Sequence, residues 1–190
     1  MPACLLACLE LFGPVPVADQ APLLAAWESR TVREGELLFE AGPVCQELFF
    51  IQRGVLGVGR RGQRGRVITH SFRQAGQFCT LLASFEQQLP TTLNIFAACP
   101  AQVLAISRPR LAALGQQFPY LPGMLAQLSR QALLEKLHLH RAYQGQDAAA
   151  RYETFLTQQP EVARQVPQHL IASYLGITPQ SLSRLRRAGS

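Results

Sequence analysis

Between Thr178 and Arg187 the chain reads TPQSLSRLRR, which spaces hydrogen-bonding and cationic side chains around a helix. With 3.6 residues per turn, Leu182 and Leu185 fall on one side. Gln180, Ser181, Arg184 and Arg187 fall on the other, flanked by Ser183 and Arg186. Glutamine pairs bidentately with adenine and arginine with guanine in the major groove. Gln180, Ser181 and Arg184 are therefore the candidates for base edges. Thr178, Ser183, Arg186 and Arg187 are the candidates for phosphate oxygens, which fix position without reading sequence.

The residues just before this helix are those needed to aim it. Pro167 suits a helix start, and Ile171 and Leu175, four apart, share one face. Ala172 is small where two helices must cross closely. Gly176 falls where a helix ends in a left-handed residue, and Ile177 plugs the corner. Thr178 is a favourable N-cap and Pro179 suits the first helical position. An antiparallel helix pair that is merely basic would need neither the glycine corner nor an acid-free outer face. The expectation over 168–188 is a helix-turn-helix whose second helix enters the major groove of double-stranded DNA.

Charge agrees with this. The 190-residue chain carries a net charge of +6. From Val162 to Ser190 there are four arginines and no acid, and from Leu48 to Gly76 six arginines and no acid. Clustered positive charge is the footprint of a nucleic-acid binder. Apolar residues make up 48%, enough for a packed core. The apolar Met1–Leu11 stretch lacks a basic leader region and soon meets Gly13, Pro14 and Pro16. It is a poor signal peptide, and no run is long enough to span a membrane, so a cytoplasmic protein is expected. Five scattered cysteines without a secretory signal argue against a disulfide framework.

The upstream chain must supply a scaffold. A short helix is expected from Asp19 to Glu28. Glu36–Ala41, Glu47–Arg53, Val55–Arg60, Arg66–Arg73, Thr92–Ala98 and Gln102–Ser107 then read as short strands separated by glycines, the pattern of an antiparallel roll. The Arg60–Arg66 hairpin places four arginines at an exposed tip. Arg108–Phe118 reads as a helix, and Tyr120 to about Tyr143 as a second, long one. Leu121, Leu125, Leu128, Ala132 and Leu137 recur on one face of it, widened by Met124, Leu133 and Leu134. About 24 residues make ~36 Å of helix, more than a small roll covers. The surplus apolar stripe calls for a second copy of the chain. Gln144–Asp147 is a hinge, and Asp147 caps a helix over Ala148–Gln159 that Pro160 ends. The fold class is thus α+β: a sensory roll with a short N-terminal helix (1–107), a helix pair containing the dimerisation helix (108–144), and a helical DNA-binding module (147–190). With three residues after Arg187, no β-hairpin wing is expected beyond the recognition helix.

This order of roll, long helix and helix-turn-helix resembles the Crp/Fnr family of bacterial regulators. EGELLFEAG (34–42) and ELFFIQRG (47–54) look like the opening of a cyclic-nucleotide-binding roll. Pro167–Arg187 resembles the helix-turn-helix of a short subgroup common in Bacteroidetes. The resemblance covers about Leu23 to Arg187. It implies a homodimer on a two-fold symmetric operator, with RNA polymerase as a further candidate partner.

Relatives that bind cyclic AMP hold the ribose with a Gly-Glu pair and the cyclic phosphate with an arginine ten residues later. Ungapped alignment back from Ala105-Ile-Ser107 puts Thr80 and Leu81 on the pair, followed by Leu82. Thr91 falls on the arginine, with the hydroxyl of Thr92 next. Leucine cannot accept a ribose hydrogen bond and threonine cannot neutralise a phosphate. Loss of such a charged contact costs on the order of a hundredfold in affinity, so cyclic AMP is not expected. Iron–sulfur relatives use a tight N-terminal cysteine set, whereas Cys4 and Cys8 form only C-x3-C. Cys45, Cys79 and Cys99 sit in or beside strands and read as core. His70, mid-strand, is a weak haem candidate, and His138 and His140 point in different directions. No zinc spacing and no Ser/His/Asp or Walker-type motif is present, so no metal, cofactor or enzyme activity is expected. The reading is a homodimeric transcriptional regulator. The alternative is a nucleotide, anion or redox sensor whose DNA-binding module is vestigial.

Overall fold

A computed structural model describes residues 3–62 and 67–188. Helices α1 (Ala3–Glu10) and α2 (Val17–Ala25) lead into two four-stranded antiparallel sheets. The first contains β1 (Glu28–Val32), β8 (Ala101–Ser107), β3 (Glu47–Arg53) and β6 (Phe78–Cys79), in that spatial order. The second contains β2 (Leu37–Phe39), β7 (Asn94–Ala97), β4 (Val55–Arg61) and β5 (Val67–Gln74). A short helix, α3 (Leu82–Gln87), follows β6. Together these make the expected roll.

The reversal between β3 and β4 takes one residue. Gly54 has φ +85°, and a Cβ there would sit 2.4 Å from the Pro100 carbonyl oxygen, so only glycine fits. Val32, Phe49, Ile51, Leu56, Leu81, Ile95 and Val103 meet between the sheets as one buried cluster. Cys45 and Cys79 lie in it too, and Cys99 is buried nearby, as expected of core thiols. Burial, opposed by Arg73, pushes the Cys79 thiol up to about 12, which leaves it unreactive at neutral pH.

After the roll come α4 (Arg108–Gln117), α5 (Leu121–Tyr143), α6 (Ala148–Gln158), α7 (Pro160–Gln165), α8 (Gln168–Leu175) and α9 (Pro179–Ala188). Asp147 caps α6 as expected, its Oδ1 accepting the Ala150 N–H at 2.9 Å. No helix among the described residues is long and apolar enough to cross a membrane.

Several boundaries differ from expectation. The apolar N-terminal stretch is helix α1, whose Leu5 and Leu9 are buried against Leu23, Phe50, Leu111 and Met124. The helix expected over Asp19–Glu28 stops at Ala25, because Glu28 already pairs with Ala105 at the sheet edge. Pro160 does not only end a helix. It opens α7, where its missing N–H is harmless. The strand expected from Arg66 is described from Val67. Of the Arg60–Arg66 hairpin, Arg60 and Arg61 are exposed on β4, and Gln63 to Arg66 lie outside the described residues.

Helix α5 divides into two halves. Leu121 and Met124 are 2% and 4% exposed, buried among Leu111, Leu114 and Phe118 of the same chain. Leu121 is thus removed from the stripe assigned to a second copy, because the first turn of α5 packs back on α4 and the roll. Leu125, Leu128 and Ala132 are half-buried, whereas Leu133, Leu134 and Leu137 are 52%, 60% and 45% exposed.

Candidate nucleic-acid interface

Helices α8 and α9 form the expected pair. Ile171, Ala172 and Leu175 of α8 meet Leu182 of α9, Phe155 of α6 and Val162 of α7 in one buried cluster. Gly176 has φ +69°, the left-handed end required there. Its N–H reaches back to the Ser173 carbonyl, and that of Ile177 to the Ala172 carbonyl at 3.0 Å. The turn therefore satisfies carbonyls that the end of α8 would leave open.

Thr178 then starts α9. Its Oγ1 accepts the Ser181 N–H at 3.1 Å and donates to Ser181 Oγ at 3.0 Å. Arg184 Nη2 donates to the same Ser181 Oγ at 3.4 Å. Three candidate residues one turn apart are thereby strung along one edge of the helix. In this arrangement the Thr178 hydroxyl proton is directed at Ser181, so the hydroxyl must rotate before it can donate to a phosphate oxygen.

The two faces of α9 separate cleanly. Leu182 is 1% exposed, and Leu185 is half-buried. Gln180, Arg184, Arg186 and Arg187 are exposed, and Ser181 and Ser183 are half-buried. No acid lies on α9.

The module is also docked on the roll. Phe72, Phe96 and Ala98 of the roll share the buried cluster with Leu170, Ile171 and Val166. Ser173 Oγ donates to the Val67 carbonyl at 2.8 Å and accepts the Thr69 N–H at 3.1 Å, fastening α8 along β5. Ser173 was not singled out by its sequence context. A serine on a short helix gives no local sign that it will bridge to a strand a hundred residues away.

The roll's expected ligand positions are occupied by the chain's own structure. Thr80 Oγ1 donates to the Glu47 carbonyl at 2.8 Å. Leu81 is 6% exposed within the inter-sheet cluster. Leu82 opens α3. Thr91 Oγ1 accepts the Leu93 N–H at 3.2 Å, and Thr92 is exposed. One face is apolar, and the hydroxyls of Thr80 and Thr91 already bond the backbone. No group of three or more histidine, cysteine or acidic side chains that could hold a metal occurs among the described residues.

Residues 29–118 match the model of the cyclic nucleotide-binding domain, a span that covers the roll and α4. Solved structures extend the likeness to the whole architecture. The c-di-GMP responsive global regulator CLP of Xanthomonas campestris has 17% identity and a TM-score of 0.67, over 91% of either chain. A CooA mutant from Carboxydothermus hydrogenoformans has 18% identity and a TM-score of 0.66, over 95% of this chain and 83% of that one. The catabolite activator protein of Thermus thermophilus has 21% identity and a TM-score of 0.55, over 94% of this chain and 85% of that one. At these identities the likeness is one of fold. No curated protein sequence matches the chain.

Proposed function

We propose that this chain is a sequence-specific DNA-binding transcriptional regulator of the Crp/Fnr type, acting as a homodimer. The observation that carries the reading is the outer face of α9, where Gln180, Arg184, Arg186 and Arg187 project from a helix anchored by Leu182. Gln180, Ser181 and Arg184 read base edges, and Thr178, Ser183, Arg186 and Arg187 hold phosphates. The structural neighbours, a global regulator and a catabolite activator among them, support the same class. The exposed Leu133, Leu134 and Leu137 supply the surface for a second copy, with the half-buried Leu125, Leu128 and Ala132 at its margin. A dimer places two recognition helices on a two-fold symmetric operator.

The roll in this reading has lost the anchors for cyclic AMP, Leu81 and Thr91 standing in their place. RNA polymerase is the partner through which a regulator of this kind acts. No enzyme chemistry is assigned to the chain.

The test compares binding to selected and random duplex DNA across a salt series. Phosphate contacts alone weaken steeply with salt and favour no sequence. The reading expects selected sites to hold an advantage of ~10³ or more over random DNA at physiological salt. Equal affinity for both overturns it.

A further inference from the structure

The molecule has a second cationic concentration, away from α9 and unconnected with the roll interior. A cavity of about 250 Å³ opens where β5, α5, α6 and α8 converge. Its wall contains His70 and Ser71 from β5, Lys136 and His140 from α5, Arg151 from α6, and Tyr174 from α8. Tyr143 and Leu175 complete it, and no carboxylate lines it.

Three features show that this wall lacks a counter-charge. Lys136 and His140 are four apart on α5 and so face the cavity together. Arg151 Nε is buried and has no hydrogen-bond partner among the described residues. An orphaned guanidinium donor in a low-dielectric site is costly, and native structures ordinarily pair it. Moreover, the His70 imidazole is held below its ordinary value by partial burial first and then by the positive charges of Arg60 and Lys136.

The tyrosines complete a donor set. The Gln159 amide donates to Tyr143 Oη at 3.2 Å and to Tyr174 Oη at 3.0 Å. The two phenols also share a hydrogen bond with each other, which leaves one phenolic proton to give. Burial, with the neighbouring Tyr174, raises the Tyr143 phenol well above its ordinary value, so it remains a donor at neutral pH. Charged nitrogens and phenolic hydroxyls around an acid-free hollow match the oxygens of a phosphoryl group.

We propose that the cavity between β5, α5, α6 and α8 is a binding site for a small phosphorylated anion, held by Arg151, Lys136, His140 and His70. The volume exceeds a single phosphate and stands just below the usual range for small-molecule sites, which fits a diphosphate or a compact organic phosphate. The ligand would join the roll, the long helix and the DNA module at one point. The assignment stands on the cavity alone and does not rest on the DNA-binding reading.

Inorganic pyrophosphate is the probe, with inorganic phosphate beside it and sodium chloride at matched ionic strength as control. Thermal unfolding of the full chain should show a saturable rise in melting temperature with pyrophosphate that chloride does not reproduce. Titration calorimetry should give one site per chain. Arg151→Gln and Lys136→Gln should each weaken pyrophosphate by roughly tenfold or more. Lys136 is exposed on α5, so its variant keeps the test intact even where Arg151→Gln fails to fold. Any of three results overturns the proposal: no rise beyond chloride, a rise that never saturates, or an undiminished affinity in Lys136→Gln.

Discussion

The roll interior and the outer face of α9 treat polar side chains in opposite ways. Between the sheets the chain satisfies itself. Thr80 and Thr91 bond the backbone, and Leu81 packs among Phe49, Ile51 and Ile95. On α9 the chain holds Gln180, Arg184, Arg186 and Arg187 toward solvent and closes only the Leu182 side. A protein surface that concentrates cations on one face of a rigid helix suits a polyanion. A cavity lined and filled by its own apolar residues is shaped for stability. The proposed reading accordingly rests on α9 rather than on the roll interior.

The strongest way to break this contrast is to put back what the roll lacks. Leu81→Glu places a carboxylate in the inter-sheet cluster with no partner, and should destabilise the fold by about 2–4 kcal/mol in denaturant unfolding. It should not create cyclic-AMP binding, since Thr91 still offers no cation. In the parent chain, millimolar cyclic AMP should leave the melting temperature unchanged. A clear rise would mean that the interior opens to ligand and that the contrast is false.

On α9, Arg184→Ala should weaken a selected site by ~1–3 kcal/mol and relax discrimination at one base pair, whereas Arg186→Ala should weaken all sequences alike. Identical profiles for the two would remove the distinction between base and phosphate contacts.

The same logic applies to the two halves of α5. Its first turn is closed within the chain, and its exposed second half is open. Substituting both Leu134 and Leu137 by Glu should weaken self-association roughly tenfold or more in sedimentation, with the roll's far-ultraviolet signature unchanged. An unaltered dimer would put the interface elsewhere.

The smallest effect concerns His70. Burial, then Arg60 and Lys136, hold its imidazole below the ordinary 6.5. The unfolded chain therefore takes up a proton that the folded chain resists. Stability should rise with pH through the window just below 6.5 and fall on acidification. His70→Gln should flatten that slope, and an unchanged slope would assign it to other groups.

Much of this was legible in the sequence because the signals are local. The glycine corner, the Thr178–Pro179 start and the alternation of Leu182 with Arg184 each act within one turn, and the structure realises them as a pair of capped helices. Most strands of the roll were legible for the same reason, through glycine punctuation and β-branched runs. Strand β1 was not. Its ESRTV sequence buries only Val32, and Glu28 and Arg30 are held by ion pairs with Arg110 and Glu47 that no local pattern announces. Helix α1 was hidden differently. Leu5 and Leu9, four apart, carried the signal, but an apolar start without a basic leader region reads as a failed leader. The basic cavity was illegible in principle, since His70, Lys136 and Arg151 come from elements that meet only when the module docks on β5.

The central claim is that α9 reads sequence, and selection from a random duplex DNA pool tests it most directly. The account predicts enrichment of a two-fold symmetric motif with half-sites about one helical turn apart, lost from the pool selected with Arg184→Ala at one position of each half-site. A pool that emerges with no enriched motif, although the protein retains DNA, would contradict it.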